Sequence, residues 1–559
     1  MKKQSGALGG LLTLHPAMST PSDNEPAKPQ GPSLLRRRES LIVGAILVAS
    51  FLSHFATVSS SGFLSDESVY SYAAYAIGRG AVPYAQIMLA HPPIGYLSLI
   101  LPVILAQGNV VFIRIYNLGS YLLIAVISFW FYRALREGSS GSFGSLVSLA
   151  LFSLYPTSFA MTTPIEFTVF DIPILLASVF FVTGITRSSN RRLLVSGLFV
   201  GIAFMIWYPA AFFAISLLGF LVVYHFGKNR NQPHLFSLRQ LLSFAVGAGS
   251  VVALVLMLIL SWGALPNFLT QTVTFESLRA GFTIGERLRH IGLAVSQFLP
   301  MFVLATVGGI ELVRRVKDGA DPLVLLPMWV VLVNLGLLFT IPKIVLNHYV
   351  AYLTPFIAFI AAGPIEKLVQ VLSSRRSAFR RAPYHYVQGA LAISMITIVI
   401  LSYPFGPAIF QTSPYTVSNQ AVGQYVTSIT LPNETIWTSE GGIAYFASRL
   451  IQAPDSSTWP FQAAYNDIFS ASYVDSDGIV HSGLGVVSPA DFVNAWQSHG
   501  TKVLVFILGD GPVPYPDDFL WNGFPGTGGV ATWVGQNYQE VKVFTFPNVS
   551  YQYFVWVMK

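Results

Sequence analysis

"HPPIGYLSLILPVILAQG", residues 91–108, is apolar enough to cross a bilayer, and whether it crosses sets the side on which everything after it falls. Lys and Arg gather in the cytoplasmic loops of membrane proteins. The clusters here are Arg36/Arg37/Arg38, Arg133/Arg136, Arg187/Arg191/Arg192, Lys228/Arg230/Arg239, Arg314/Arg315/Lys317 and Arg375/Arg376/Arg380/Arg381. Apolar stretches near the roughly 20 residues that a spanning helix needs lie at 40–60, 112–132, 143–161, 168–186, 193–208, 209–226, 241–262, 291–313, 322–342, 347–366 and 387–406, eleven in all. With the N-terminus inside and 91–108 not crossing, every cluster faces the cytoplasm. If 91–108 crossed, Arg133 and Arg136 would lie outside. The stretch therefore reads as a juxtamembrane or re-entrant helix at the outer face, begun by Pro92 and Pro93, where proline is tolerated. The apolar run 196–227 is too long for one span and short for two; it splits at Trp207-Tyr208-Pro209, where proline breaks a helix.

Composition agrees. Of 559 residues, 53% are hydrophobic and 10% charged, with a mean hydropathy of +0.58, against about 25% charged in soluble domains. The chain reads as an α-helical polytopic membrane protein. Its net charge of +7 sits in the clusters above, so it orients the protein in a membrane and implies no nucleic-acid partner. The absence of Cys excludes disulfides, thiolate metal sites and cysteine nucleophiles. Residues 1–39 are rich in Ser, Pro and Gly and read as a disordered cytoplasmic tail. The membrane module is 40–406, with outer loops 61–111 and 263–290. From 407 to 559 polar residues return, and "DFVNAWQSHG" followed by "KVLVFIL" reads as a helix feeding a buried strand, hence an extracytoplasmic α/β domain.

The outer loops hold the chemistry. "SDESVYSYAAYAIGRGAVPYAQI", residues 65–87, sets Asp66 and Glu67 before Tyr70, Tyr72, Tyr75 and Tyr84, a pattern suited to a segment resting at headgroup level. The plain alternative is a pair of solvated interfacial acids. "TPIEFTVFDIP", 163–173, carries Glu166 and Asp171; an acid in or near a span is costly unless it faces a polar cavity or finds a partner, although Glu166 could be loop-exposed and Asp171 a cap.

The "DE" after the first span, the Tyr- and Ala-rich segment, "HPPIGY", "FTVFDIP" and "NHYVAYLTPFIA" (347–358), taken in order, resemble the GT-C glycosyltransferases, the group containing protein O-mannosyltransferases and aminoarabinose–lipid A transferases. That resemblance implies an inverting transfer of a sugar, hexosyl or pentosyl, from a polyprenyl- or dolichyl-phosphate carrier to a hydroxyl on a glycan, lipid or protein at the outer face of the plasma (inner) membrane. It implies Asp66 as general base, Glu67 orienting it, Asp171 as the second-loop acid, and no obligatory metal. The residue types agree independently: an attacking hydroxyl needs a carboxylate to take its proton, and the departing phosphate needs cations or donors. Candidates for that duty are Arg279, Arg287, Arg289 and His290 in "FESLRAGFTIGERLRH" and Lys343, His348 and Tyr349 in "PKIVLNHYV". Loop arginines also commonly contact lipid phosphate alone. His91 either fixes the loop against the acids or lines the acceptor site. Tyr96 stands where the eukaryotic mannosyltransferases usually carry Lys, and their β-trefoil insert is missing; both departures favour a prokaryotic member acting on a lipid, glycan or envelope protein. Two competing classes are a transporter or flippase for lipid-linked sugars, which would want acids deep in its helices, and an inactive envelope scaffold.

Overall fold

The computed structural model describes residues 34–55, 65–136, 141–156, 158, 165–228, 238–274, 283–342, 347–374, 389, 393–394, 396–397, 414–452, 455–456, 459–460, 472–474, 480–482, 489–509, 516–522, 529–547 and 551–559. Its helices run α1 Leu34–Phe55, α2 Ser65–Gly78, α3 Pro93–Ala106, α4 Val110–Leu135, α5 Gly141–Leu154, α6 Ile165–Thr186, α7 Asn190–Phe204, α8 Ala210–Lys228, α9 Leu238–Ser261, α10 Leu265–Leu269, α11 Ile284–Gln297, α12 Leu299–Lys317, α13 Leu326–Thr340, α14 Thr354–Ser374 and α15 Pro414–Ile429. Every expected span except 387–406 coincides with a described helix; most of that last stretch lies outside the described residues. Among the described residues four helices are long and apolar enough to cross a membrane unaided: Val111–Leu135, Leu238–Ser261, Pro322–Thr340 and Tyr349–Val371. The chain is an integral membrane protein.

Local chemistry explains the boundaries. Pro92 caps α3 and Pro93 opens it, as expected of proline at a helix start. The long apolar run does break near Pro209, into α7 and α8. Two expectations need correction. Residues 34–39, assigned to the N-terminal tail, belong to α1; residues 1–33 lie outside the described set. The span expected at 291–313 is not straight: α11 meets α12 at 81°. Phe298 leaves helical geometry (φ −111°, ψ 12°), and Pro300 in the first turn of α12 has no N–H with which to continue the preceding helix. The charged face of α11, with Glu286, Arg287 and Arg289, favours lying along an interface over crossing one.

Helix ends sort the charges. Arg133 at the end of α4 pairs with Glu39 at 2.6 Å, Arg136 pairs with Glu366, and Lys367 and Arg315 both reach Glu311, at 2.8 and 3.6 Å. Arg133 and Arg136 of one cluster and Arg315 of another thus lie at one end of the bundle. At the other end the segments read as outer loops meet: Gln271 accepts from the Leu89 N–H (3.1 Å) and donates to the Tyr84 carbonyl (3.0 Å), and Asn267 donates to the same carbonyl (3.2 Å). Between the ends, α7 and α9 touch backbone to backbone. A Cβ at Gly197 would overlap the Phe244 carbonyl, and one at Gly247 the Leu194 carbonyl, the small-residue crossing that membrane helices use in place of hydrophobic drive.

The C-terminal domain is built on a four-stranded sheet of β1 Ile436–Thr438, β2 Val503–Gly509, β3 Tyr538–Thr545 and β4 Tyr551–Met558, in the order β1-β2-β4-β3, with β1 parallel to β2 and the other pairs antiparallel. The helix Pro489–His499 feeds β2, whose first five residues are all buried, as the apolar run predicts. Trp496 on that helix packs against Trp437 and Phe506.

Candidate functional site

Asp66 and Glu67 occupy the first turn of α2. Glu67 is 1% exposed and its two oxygens each accept from one Arg114 nitrogen, at 3.2 and 3.1 Å, with Asn117 at 3.5 Å. The geometry is a two-point guanidinium–carboxylate pair. Glu67 is therefore held as an anchor of the turn that carries Asp66, and its lone pairs are engaged by protein. The side chain of Asp66 lies outside the described residues.

The rest of the first loop is a stack of rings. Tyr70 lies parallel to Tyr96 at 4.8 Å and to His91 at 6.0 Å. The Tyr84 hydroxyl donates to the His91 carbonyl at 2.8 Å. Tyr96 is fully buried, so it serves the loop's packing. Burial pushes the phenols of Tyr72, Tyr84 and Tyr445 well above their ordinary range, which keeps each a neutral hydrogen-bonding group.

Next to this stack is a second wall. Ile94 N–H donates to the Met205 carbonyl at 3.0 Å, tying α3 to the α7–α8 break. Trp207, in that break, meets Phe170 (5.1 Å), Tyr349 (4.9 Å) and Tyr352 (6.1 Å) edge to face. Asp171 follows Phe170. It is 1% exposed, and neither carboxyl oxygen has a hydrogen-bond partner among the described residues. Tyr352 is the phenol within electrostatic reach of it, and that hydroxyl donates instead to Asn334 (2.9 Å), which donates to Ser216 (2.7 Å). A buried carboxylate with no protein donor is costly, so Asp171 is the group at this wall best prepared for a ligand.

Of the expected cations, Arg287 is half-buried on α11 and donates to the Phe339 carbonyl near the end of α13 at 3.3 Å. Arg289 is exposed beside it. Arg279 and Lys343 lie outside the described residues, as do the side chains of Glu166 and His348. The backbone of His348 is in the 3₁₀ turn Asn347–Leu353, adjoining Tyr349.

The C-terminal domain rests on α2. Ser68 Oγ donates to Glu440 at 2.7 Å, Ile451 N–H donates to the Tyr72 hydroxyl at 2.7 Å, and Tyr75 meets Tyr445 edge to face at 6.5 Å. The helix bearing the "DE" pair is therefore clamped between membrane module and outer domain. Tyr72→Phe leaves a buried N–H unsatisfied, a cost of about 1–3 kcal/mol. Hydrogen exchange at Ile451 and along 436–451 is expected to speed up in that variant; unchanged exchange there would mean that the clamp does not depend on this bond.

Sequence reasoning missed Arg114, Asn117, Ser68 and Glu440. A signal existed for Arg114, since an ionisable residue four positions into an apolar helix is a functional candidate by default. None existed for Glu440, whose partner is 372 residues away.

Residues 90–263 match the family model described as dolichyl-phosphate-mannose-protein mannosyltransferase. No curated protein sequence matches the chain. Among solved structures, ArnT from Cupriavidus metallidurans bound to undecaprenyl phosphate is similar over 92% of this chain and 97% of its own, with 13% identity and a TM-score of 0.57. Its apo form gives 94%, 98%, 11% and 0.56. AglB from Archaeoglobus fulgidus, in complex with an inhibitory peptide and a dolichol-phosphate, is similar over 85% of this chain and 70% of its own, with 11% identity and a TM-score of 0.51. At these identities the likeness establishes the fold, and the fold is GT-C.

Proposed function

We propose that this protein is a membrane glycosyltransferase that moves a hexosyl or pentosyl group from a polyprenyl-phosphate carrier to an acceptor hydroxyl on a glycan, lipid or protein, at the end of the bundle where α2 and the C-terminal domain meet. The carrying observation is Asp171: a buried carboxylate with no hydrogen-bond partner among the described residues, next to Phe170 in the chain and within electrostatic reach of Tyr352. In this reading that end faces outward, the N-terminus is cytoplasmic, and the membrane is the plasma (inner) membrane.

The reaction is a single displacement with inversion. Asp66 takes the acceptor's proton as its oxygen attacks the anomeric carbon, and the bond to the carrier phosphate breaks. Asp171 accepts hydrogen bonds from sugar hydroxyls, while Arg287, with Arg279, Lys343 and His348, stabilises the phosphate as its charge develops. No strong acid is needed because a phosphate monoester leaves as an anion. The aromatic wall and His91 shape the acceptor side. A transporter would place its acids near the middle of its helices, whereas Glu67 and Asp171 both sit within two turns of a helix start.

Membranes carrying the protein are to be incubated with labelled polyprenyl-phosphate sugars, following release of the free carrier phosphate. Asp171→Asn is expected to lower kcat/KM by about 10²-fold or more, the order seen when one preorganised polar group is removed from an active site. No turnover of any sugar by the unaltered protein would remove this reading and favour the scaffold, and an unchanged rate in Asp171→Asn would remove Asp171 from the site.

A further inference from the structure

At the basic end, a groove of about 500 Å³ opens between α12, α13 and α14. One stripe of α12, namely Phe302, Thr306, Gly309 and Val313, faces Met328 and Leu335 of α13 across it. Adjacent glycines build it. A Cβ at Gly308 would overlap the Ile360 carbonyl, so Gly308 lets α12 press onto α14; at Gly309 a Cβ would sit 3.2 Å from the Met328 sulfur, so Gly309 keeps the channel open.

Two cations, Arg314 and Lys317, stand at the mouth. Several neighbours at this end have carboxylates: Arg133 has Glu39, Arg136 has Glu366, and Arg315 and Lys367 share Glu311. Arg314 and Lys317 pair with no acid among the described residues, and both are exposed. The two cations lining the groove are thus open to an anion. From Lys317 to Phe302 the helix rises roughly 22 Å, close to the roughly 20–22 Å from headgroup level to midplane in one leaflet. A polyprenyl chain is longer than that.

We propose that this groove is a binding site for one anionic phospholipid of the leaflet opposite the proposed active site, with its phosphate held by Arg314 and Lys317 and one acyl chain lying along Gly309. The apolar contacts do not select this lipid, because hydrocarbon leaves the bilayer for an equally apolar surface. Selection comes from the headgroup, and two surface cations favour an anionic one by roughly 30-fold.

The full chain is to be reconstituted in vesicles of equal phosphatidylglycerol and phosphatidylcholine, released, and weighed with its retained lipid by native mass spectrometry. The unaltered protein is expected to keep one phosphatidylglycerol in roughly 30-fold preference. Arg314→Ala/Lys317→Ala should bring the ratio near parity, Gly309→Leu should abolish retention of either lipid, and Arg133→Ala should leave both unchanged. Full phosphatidylglycerol retention in the double variant, an equal loss in Arg133→Ala, or displacement by equimolar undecaprenyl phosphate would each overturn the site.

Discussion

Asp66→Asn is expected to cut sugar transfer by about 10²–10⁴-fold, the contribution of a positioned general base, while the protein remains folded and inserted. The substitution keeps shape and polarity and removes only the capacity to accept a proton. Asp66 belongs to the first turn of α2, where the helix dipole favours the ionised carboxylate and so holds the base in its working form. Asp66→Glu restores basicity but lengthens the reach by one methylene, and an intermediate rate is expected because displacements of about 1 Å can cost 10²-fold. Both variants are compared after normalising to the amount of inserted protein. A rate for Asp66→Asn within a factor of two of the unaltered chain would mean that another group takes the proton.

The architecture was legible because two periodic signals, apolar length and alternating basic clusters, constrain each other. Placing 91–108 on the outer side put Arg133 and Arg136 at the same end as Arg315, and the ion pairs to Glu39, Glu366 and Glu311 show those segments converging. Asp171 was legible for the same reason that it is chemically interesting: an acid among Phe, Ile and Pro demands an explanation. The bend between α11 and α12 was missed because a hydropathy window averages over Phe298 and Pro300, although proline's missing donor marks the break. The partners of the acidic turn were missed because pairing across 47 or 372 positions leaves no trace in a periodic pattern. Only the folded chain shows that Glu67 is engaged by Arg114.

That pair leads to the second large effect. Arg114→Ala is expected to destabilise the protein by about 3–5 kcal/mol, the usual consequence of stranding one member of a buried ion pair. Glu67 would be left at 1% exposure without its guanidinium partner, Asn117 staying at 3.5 Å. Glu67→Gln should cost less, since a neutral amide still meets the guanidinium. Replacing both residues, Glu67→Met with Arg114→Met, should recover most of the thermal midpoint in detergent, because well-packed apolar side chains often match a buried ion pair in stability. Activity should not recover with it. The double variant loses the two-point grip at 3.1 and 3.2 Å that fixes the rotation of the first turn of α2, and Asp66 turns with that backbone. Stability restored with transfer still depressed by 10-fold or more, at unchanged carrier affinity, identifies Glu67 as a positioning residue. Restoration of both would reduce the pair to an ordinary structural contact and leave Asp66 positioned by the clamp through Ser68 and Tyr72 alone.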